Sequence, residues 1–206
     1  MAAAAFRAIL GERIFPRWVP VIPLLFLAAC ATTPRGQPEE NWMEYLETLR
    51  SLEVAGATLE EGSEEESRAI ERFRSLLSDF KAPDFGERIP KVYAEDVFFN
   101  DTIKTVRGAR NVQEYLTATG EAIDKGTVEF LDVVVDNGNY YFRWAMTIQF
   151  KRFARGEDKR SVGMTHVRFD SAGKVVLHQD FWDSAGGLFE HVPALGWMLR
   201  RVKRGL

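Results

Sequence analysis

The chain has very little cysteine and histidine. Its only cysteine is Cys30, and its three histidines are His166, His178 and His191. A single cysteine cannot form an intrachain disulfide or a zinc site built on thiolate ligands. The spacing of the histidines matches no metal-binding motif, so the sequence predicts no metal site and no disulfide framework.

The sequence also lacks a strong charge of one sign and a phosphate-binding loop. The formal net charge is −3 over 206 residues, and no nucleic-acid-binding signature is present. No glycine-rich loop has the spacing of a P-loop or of a dinucleotide fold. No Ser-His-Asp or Cys-His arrangement is recognisable. The sequence therefore predicts no nucleic-acid partner, no cofactor and no nucleophilic triad.

Cys30 lies directly after an apolar run, "WVPVIPLLFLAA", which three arginines precede. The run has the length of a signal-peptide core and is too short to span a bilayer comfortably. Leu27–Cys30 resembles a bacterial lipobox, which implies cleavage before Cys30 and a lipid on its thiol. We predict a lipoprotein signal peptide over 1–29, and an uncleaved anchor or an ordinary secretory signal is the alternative. By analogy with bacterial sorting rules, Ala31 favours an outer-membrane lipoprotein of the cell envelope, facing the periplasm.

Residues 30–66 are predicted to form a tether and an acidic extension. "ATTPRGQPEE" has the composition of a linker, whereas "NWMEYLETLRSLEV" has apolar residues at helical spacing. "GATLEEGSEEES" is acidic and is interpreted as a solvated loop. Ser63, followed three residues later by Glu66, predicts a capping box that opens a helix through "EEESRAIERFRSLLSDF".

The rest of the chain changes from helical to strand patterning. Short helices are predicted at "DFGERIPKVY" and over 111–123, on either side of the strand "DVFFND". Four segments rich in β-branched and aromatic residues follow, separated by turn residues. In the second segment, alternate positions from Tyr140 to Phe150 are apolar, which indicates a sheet with one buried face. Helices followed by hairpins predict an α+β fold with an antiparallel sheet.

The order of elements, together with "FFND", "VRGARNVQEYL", "HVRFDSAGKVV" and "HQDFWD", resembles the nuclear-transport-factor-like superfamily. This superfamily includes SnoaL-like polyketide cyclases, ketosteroid isomerases and limonene epoxide hydrolases. The resemblance implies a cone, in which a curved sheet wraps around the helices and leaves an apolar pocket open at one end. We expect this SnoaL-like domain over 67–185. The fold hosts enzymes and non-catalytic binders alike.

Steroid isomerisation does not follow from this resemblance. Asp101 falls where ketosteroid isomerases have their general base, which works with two hydrogen-bond donors. The position that would hold the donor tyrosine is Phe73, and the position that would hold the protonated aspartate is Thr165. Without these donors the chain lacks an oxyanion hole for a dienolate.

The resemblance also implies which face of the last strand points into the cone. Asp183 would point outward, and an acid/base aspartate such as that of SnoaL-like cyclases would correspond to Asp180. Catalysis by Asp101, His178 and Asp180 is one interpretation. A strand-end hydrogen-bond pair for His178 and Asp180 and a turn role for Asp101 are the alternatives. The predicted ligand-binding residues are Phe142, Trp144, Met146, Thr165 and Trp182.

The last segment, 186–206, is predicted to contain a basic amphipathic helix. Trp197 lies among its apolar residues, and Arg200, Arg201, Lys203 and Arg204 follow. Such a helix can lie on an anionic membrane or can cap the pocket.

The predicted function is binding of a small apolar or amphipathic molecule by an envelope lipoprotein. An acid/base enzyme resembling an isomerase, cyclase or hydratase is the alternative. The resemblance also implies that the exposed sheet face can pair two copies in a homodimer. The predicted partners are therefore a small ligand, a membrane and a second copy of the chain.

Overall fold

The computed structural model describes residues 38–56 and 58–205, with side chains from Trp42 onward. The predicted signal peptide, Cys30 and residues 31–37 lie outside the described residues. The α-helices are α1 (Pro38–Ala55), α2 (Glu64–Leu77), α3 (Phe85–Val92), α4 (Ala109–Glu121), α5 (Ser184–Gly187) and α6 (Leu195–Lys203), with a 3₁₀ helix at Phe189–His191. The strands are β1 (Tyr93–Asn100), β2 (Thr105–Arg107), β3 (Ile123–Asp136), β4 (Asn139–Phe150), β5 (Lys159–Phe169) and β6 (Val175–Trp182).

The capping box predicted at the start of α2 is confirmed. The Ser63 hydroxyl accepts a hydrogen bond from the backbone N–H of Glu66 at 3.1 Å. The Glu66 carboxylate turns back to the N–H of Gly62 (2.7 Å) and also accepts from the Tyr140 hydroxyl (2.8 Å). The cap therefore fixes the first turn of the helix and ties it to β4.

The six strands form one open sheet in the order β2-β1-β6-β5-β4-β3. All neighbouring strands are antiparallel except β1 and β6, which run parallel. The hairpin pattern predicted only antiparallel pairs. β1 and β6 are far apart in the chain, so no tight turn between them requires opposite directions.

Irregular pairing accounts for the curvature of this sheet. The register shifts within the β1–β6, β3–β4 and β5–β6 pairs, and in the β3–β4 pair it shifts at two places. An extra residue on one strand bends that strand and increases its twist. The predicted α+β fold with a curved sheet around helices is confirmed.

Helices α2, α3 and α4 pack on the inner face of the sheet. The interior there is largely aromatic and aliphatic, because the inward positions of β4, such as Tyr140, Phe142 and Trp144, are buried and alternate with less buried ones. Its most deeply buried members include Phe73, Leu76, Ile89, Val112, Phe142, Val167 and Phe169. Burial of this apolar surface is the main stabilising contribution to the domain.

Helix α1 covers the outer face of the same sheet. Tyr45 of α1 packs with Phe98 of β1 and Leu177 of β6, and Leu46, Leu49 and Phe181 surround them. On the inner side, β6 faces the α2–α4 layer. Both faces of β6 are therefore covered, and no residue from Val175 to Trp182 is fully exposed.

Both apolar clusters and every described helix and strand lie within 38–205. A chain that begins at residue 31 therefore keeps the whole of this interior. Among the described helices, none is long and apolar enough to cross a bilayer.

Candidate functional site

A cavity of about 150 Å³ lies between the sheet and the helices. We call it the inner cavity. Most of its wall is apolar and runs from Leu77 of α2 past Met146 and Ile148 of β4 to Leu188, which follows α5. Its polar wall residues are Asp101, Tyr115, Thr119, Thr165, His178 and Asp180.

Asp180 lies at the centre of a hydrogen-bonded row across β4, β5 and β6. Its Oδ1 accepts from the Thr165 hydroxyl at 2.5 Å and is 3.1 Å from Nε2 of His178. Thr165 in turn accepts from Nε1 of Trp144 at 2.9 Å. Thr165 stands directly opposite Asp180 in the antiparallel pair, which places their side chains on the same face.

The Tyr93 hydroxyl, at the start of β1, holds the other nitrogen of His178. It is 3.0 Å from Nδ1, and both side chains are buried. Burial, with a smaller effect of the Asp180 charge, raises the pKa of Tyr93 well above its usual value. The phenol therefore keeps its proton and donates a hydrogen bond to Nδ1. Because Nδ1 accepts, the ring N–H lies on Nε2 and points to Asp180.

Asp101 lies just past the end of β1 and has a different set of partners. Its Oδ1 accepts from the N–H groups of Ile103 (3.0 Å) and Lys104 (2.8 Å), which is an Asx turn. Its Oδ2 accepts from the Tyr115 hydroxyl of α4 at 2.5 Å. Asp101 therefore forms the predicted turn and also lies on the wall of the inner cavity.

Burial raises the pKa of Asp101, and the Tyr115 hydroxyl and the two backbone N–H groups act against this by stabilising the carboxylate. The nearby Asp180 charge raises the pKa further. The two carboxyl groups therefore influence each other electrostatically at one end of the inner cavity.

Two tryptophans complete this end of the inner cavity. Nε1 of Trp182 donates to the backbone carbonyl of Asp101 at 2.8 Å, which joins the ends of β6 and β1. Trp144 lies across Gly163 of β5, and a Cβ at Gly163 would be only 2.5 Å from two atoms of its ring. The missing side chain at residue 163 therefore makes room for the indole.

No lysine or arginine is among the described residues that line the inner cavity. Lys104 is nearby, but its Nζ lies over the Tyr115 ring, 5.1 Å from the ring centre. Within the described part of the chain, no group of three or more His, Cys, Asp or Glu side chains could hold a metal ion. The charged groups of the wall are thus acceptors of hydrogen bonds or protons.

The structure brings seven of the eight predicted site residues to the wall of the inner cavity. These are Asp101, Trp144, Met146, Thr165, His178, Asp180 and Trp182.

Phe142 was predicted to line the pocket, but it is not among the wall residues of the inner cavity. Its ring lies deeper, 4.7 Å from that of Phe73 between ring centres, in the closed core. The inward face of β4 is longer than the inner cavity, so only its distal residues border the open space.

The sequence prediction missed Tyr93 and Tyr115 as partners of the site. Tyr115 looked like one apolar position of a helix, and Tyr93 like the end of another. A tyrosine at an apolar helical position facing a carboxylate-bearing strand is the only signal that could have identified them. His166, on the opposite face of β5, bonds Tyr45 and Asn139 and is remote from the inner cavity.

The family model for the SnoaL-like domain matches residues 63–178, which is more than half of the chain. No curated protein matches the chain.

Solved structures share this fold at low sequence identity. An LEH-like epoxide hydrolase from M. tuberculosis is 14% identical, with a TM-score of 0.50, over 68% of this chain and 92% of that one. A protein assigned as a SnoaL-like polyketide cyclase from Jannaschia sp. CCS1 is 14% identical, with a TM-score of 0.51, over 60% and 91%. A hypothetical protein from Catenulispora acidiphila, with a ketosteroid isomerase-like fold and bound trimethylamine, is 13% identical, with a TM-score of 0.50, over 58% and 88%. At these identities the likeness concerns the fold.

Proposed function

The chain belongs to the SnoaL-like domain family, and we propose that its inner cavity binds a small, mostly apolar molecule. We further propose that this ligand carries a hydrogen-bond donor or a basic group, which meets Asp101 and Asp180. One observation carries the proposal: an apolar wall contains two carboxylates at one end and, among its described residues, no lysine or arginine.

The balance of charges supports a donor group on the ligand. Asp180 is only partly buried, and a carboxylate gains from each hydrogen bond that it accepts. Oδ1 of Asp180 has two partners, whereas Oδ2 has no partner among the described residues. An ammonium or hydroxyl group of a ligand would supply a charge-assisted hydrogen bond there.

The volume of the inner cavity limits the size of the ligand. A dry cavity of about 150 Å³ in another protein accommodates benzene, and the inner cavity is of the same size. A molecule of roughly one ring fits entirely inside, whereas a four-ring steroid would extend beyond the cavity. Size thus agrees with the absence of the two isomerase donors at Phe73 and Thr165.

Acid/base catalysis on the ligand is the second candidate function. The observation that favours it is the pairing of each carboxylate with a proton-bearing side chain, Tyr115 for Asp101 and His178 for Asp180. In this scheme the two aspartates accept protons, and His178, fixed by Tyr93, orients Asp180 or donates to it. A buried carboxyl with a raised pKa is suited to proton transfer near neutral pH.

Native mass spectrometry of the untagged protein, purified from its host, tests the binding proposal by identifying a co-purifying small molecule. The affinity of that molecule is then measured by calorimetry for Asp101→Asn and Asp180→Asn. We expect each variant to bind about tenfold more weakly or worse, because a charge-assisted hydrogen bond contributes roughly 1.5–3 kcal/mol.

Asp96→Asn is the matched control, because Asp96 is an exposed carboxylate on β1. Its affinity should equal that of the wild type. Unchanged affinity in both cavity variants would refute the binding proposal. Incubating the ligand with the protein and analysing the products by mass spectrometry distinguishes binding from catalysis. A binder leaves the ligand unchanged, whereas an enzyme converts it.

We also propose that the protein works at the bacterial envelope, anchored by a lipid on Cys30 and facing the periplasm. The supporting observations are the apolar run before Cys30, the small residues Ala28 and Ala29, and Ala31 after it. A lipid anchor would place the inner cavity close to a membrane, where small apolar molecules accumulate.

A further inference from the structure

Helix α6 contacts the preceding 3₁₀ helix through polar groups and Gly196, and Leu195 and Leu199 on this side are half-buried. Nη1 of Arg200 donates to the carbonyl of Glu190 at 2.8 Å, and Nζ of Lys203 lies 2.5 Å from the Glu190 carboxylate. On the same side of the helix, Gly196 is the one buried residue. A Cβ at this position would be 2.0 Å from the Glu190 carbonyl oxygen. The close approach at Gly196 fixes which side of the helix faces the protein.

The opposite side of α6 exposes large apolar residues. Trp197 is 63% exposed, Met198 51% and Val202 56%. Together with Arg201 they occupy neighbouring positions one helical turn apart, and we call these four residues the α6 outer face. An amphipathic helix of a globular domain normally turns its apolar side to the protein. In α6, Leu195 and Leu199 are half-buried, whereas Trp197, Met198 and Val202 remain exposed.

The charged residues of α6 and of the two residues that follow it are all positive. From Leu195 to Gly205 the chain has four basic residues and no acidic one. Glu190 engages Lys203, while Arg201 and Arg204 are exposed. Positive charge beside an exposed tryptophan is complementary to a surface that offers anionic groups above an apolar layer.

We propose that the α6 outer face binds the surface of an anionic lipid bilayer. Trp197, Met198 and Val202 enter the headgroup region, and Arg201 and Arg204 contact lipid phosphates. The helix has nine residues, so its contribution is a weak, salt-dependent contact that orients the domain. This inference requires neither a lipid on Cys30 nor a ligand in the inner cavity.

Sedimentation with vesicles tests the inference on residues 31–206, which keep both apolar clusters and lack the hydrophobic run at 18–29. Vesicles of phosphatidylcholine alone are compared with vesicles that also contain phosphatidylglycerol. We expect binding to the anionic vesicles only, with a partition coefficient that falls as salt is added. The double variants Met198→Ser/Val202→Ser and Arg201→Gln/Arg204→Gln should each lower it at least fivefold.

Val162→Ser and Arg110→Gln are the controls, because both replaced residues are exposed and far from α6 in the chain. They should bind like the wild type. Circular dichroism checks that every variant is folded, and unchanged ligand affinity shows that the inner cavity is intact. No preference for anionic vesicles, or equal binding by the α6 variants, would overturn the inference, and the exposed face would then serve a protein partner.

Discussion

The two aspartates of the inner cavity differ in their hydrogen-bond partners. Asp101 accepts two backbone N–H groups and a phenol, so its position depends on a turn and on α4. Asp180 accepts from Thr165 and His178, which belong to the sheet. A movement of α4 would therefore change the surroundings of Asp101 and leave those of Asp180 largely intact.

His166 is the residue whose protonation most directly opposes folding. It is fully buried, its Nδ1 accepts from the Tyr45 hydroxyl, and its Nε2 donates to Asn139, each at 2.9 Å. Burial, and to a smaller extent Arg168, lowers its pKa from 6.5 to about 4. The bond from Tyr45 requires the neutral ring, because Nδ1 must be free to accept.

We therefore expect the free energy of unfolding to fall as the pH drops from about 6.5 to about 4. In that range the unfolded chain binds a proton at His166 and the folded chain does not, so acid favours the unfolded state. The loss attributable to His166 is roughly 3 kcal/mol, and it is complete below pH 4. Urea unfolding at several pH values measures it.

His166→Gln should have a shallower pH dependence than the wild type over this interval, whereas Val162→Ser, an exposed substitution on the same strand, should keep the wild-type slope. Identical slopes in wild type and His166→Gln would contradict the assignment. The comparison of slopes removes the contributions of the carboxylates, which titrate in all three proteins.

Single residues of the site were predictable where strand alternation applies. Once one of His178, Asp180 and Trp182 is placed inward, the other two must also point inward, because residues two apart in a strand share a face. Tyr93 and Tyr115 were not predictable in this way. Their contacts depend on how a helix is rotated against a strand, and no local pattern in the sequence specifies that rotation.

At the scale of elements, β5 shows how one small residue shapes the inner cavity. Gly163 leaves space for the Trp144 indole, which then reaches Thr165. A methyl group at this position would also be 2.8 Å from Cβ of Trp182. The absence of a side chain at Gly163 therefore allows Trp144 and Trp182 to occupy their positions on the wall.

Gly163→Ala should displace the Trp144 ring into the inner cavity. We expect a loss of about 1–3 kcal/mol in the free energy of unfolding, which is typical of overpacking, and at least tenfold weaker ligand binding. Thermal unfolding and calorimetry measure the two effects. Val162→Ala, next in the chain but pointing to solvent, should leave ligand affinity unchanged. Wild-type affinity in Gly163→Ala would show that the ring does not border the ligand.

Elements with a clear local sequence pattern were predicted correctly. The Ser63 cap and the alternation of β4 are local in the sequence, and both are confirmed. Strand β2 was missed because it has three residues, too few to show a period. The position of α1 on the outer face was also missed, because its apolar residues indicate a buried side without indicating which surface covers it.

At the scale of the whole molecule, the proposed anchor can be tested by mass. Wild-type protein extracted from membranes with detergent should begin at Cys30 and carry a diacylglyceryl group, because the thiol is the attachment point. Cys30→Ser should retain residues 1–29 and carry no lipid. Mass spectrometry of the N-terminal peptide distinguishes these forms.

Thr32→Ala is the control for this experiment, and it should be processed like the wild type. An unmodified N-terminus at residue 30, or an intact 1–29 segment in the wild type, would contradict lipidation.

The resemblance predicted the cone as a whole, but it did not predict the direction in which α6 presents its apolar residues. On the side that faces the protein, Gly196 approaches Glu190 closely, and Arg200 and Lys203 bond to the same residue.

The double burial of β6 has a consequence for how this chain can diverge. A strand with one wet face tolerates substitution at every second position, whereas β6 has α1 on one side and the inner cavity on the other. A shift of one residue would exchange Leu177 and Gln179 with His178 and Asp180, which places the wrong chemistry on both sides. A substitution on either face of β6 therefore disturbs a packed surface, so this strand has less freedom to change than one with a solvent-exposed face.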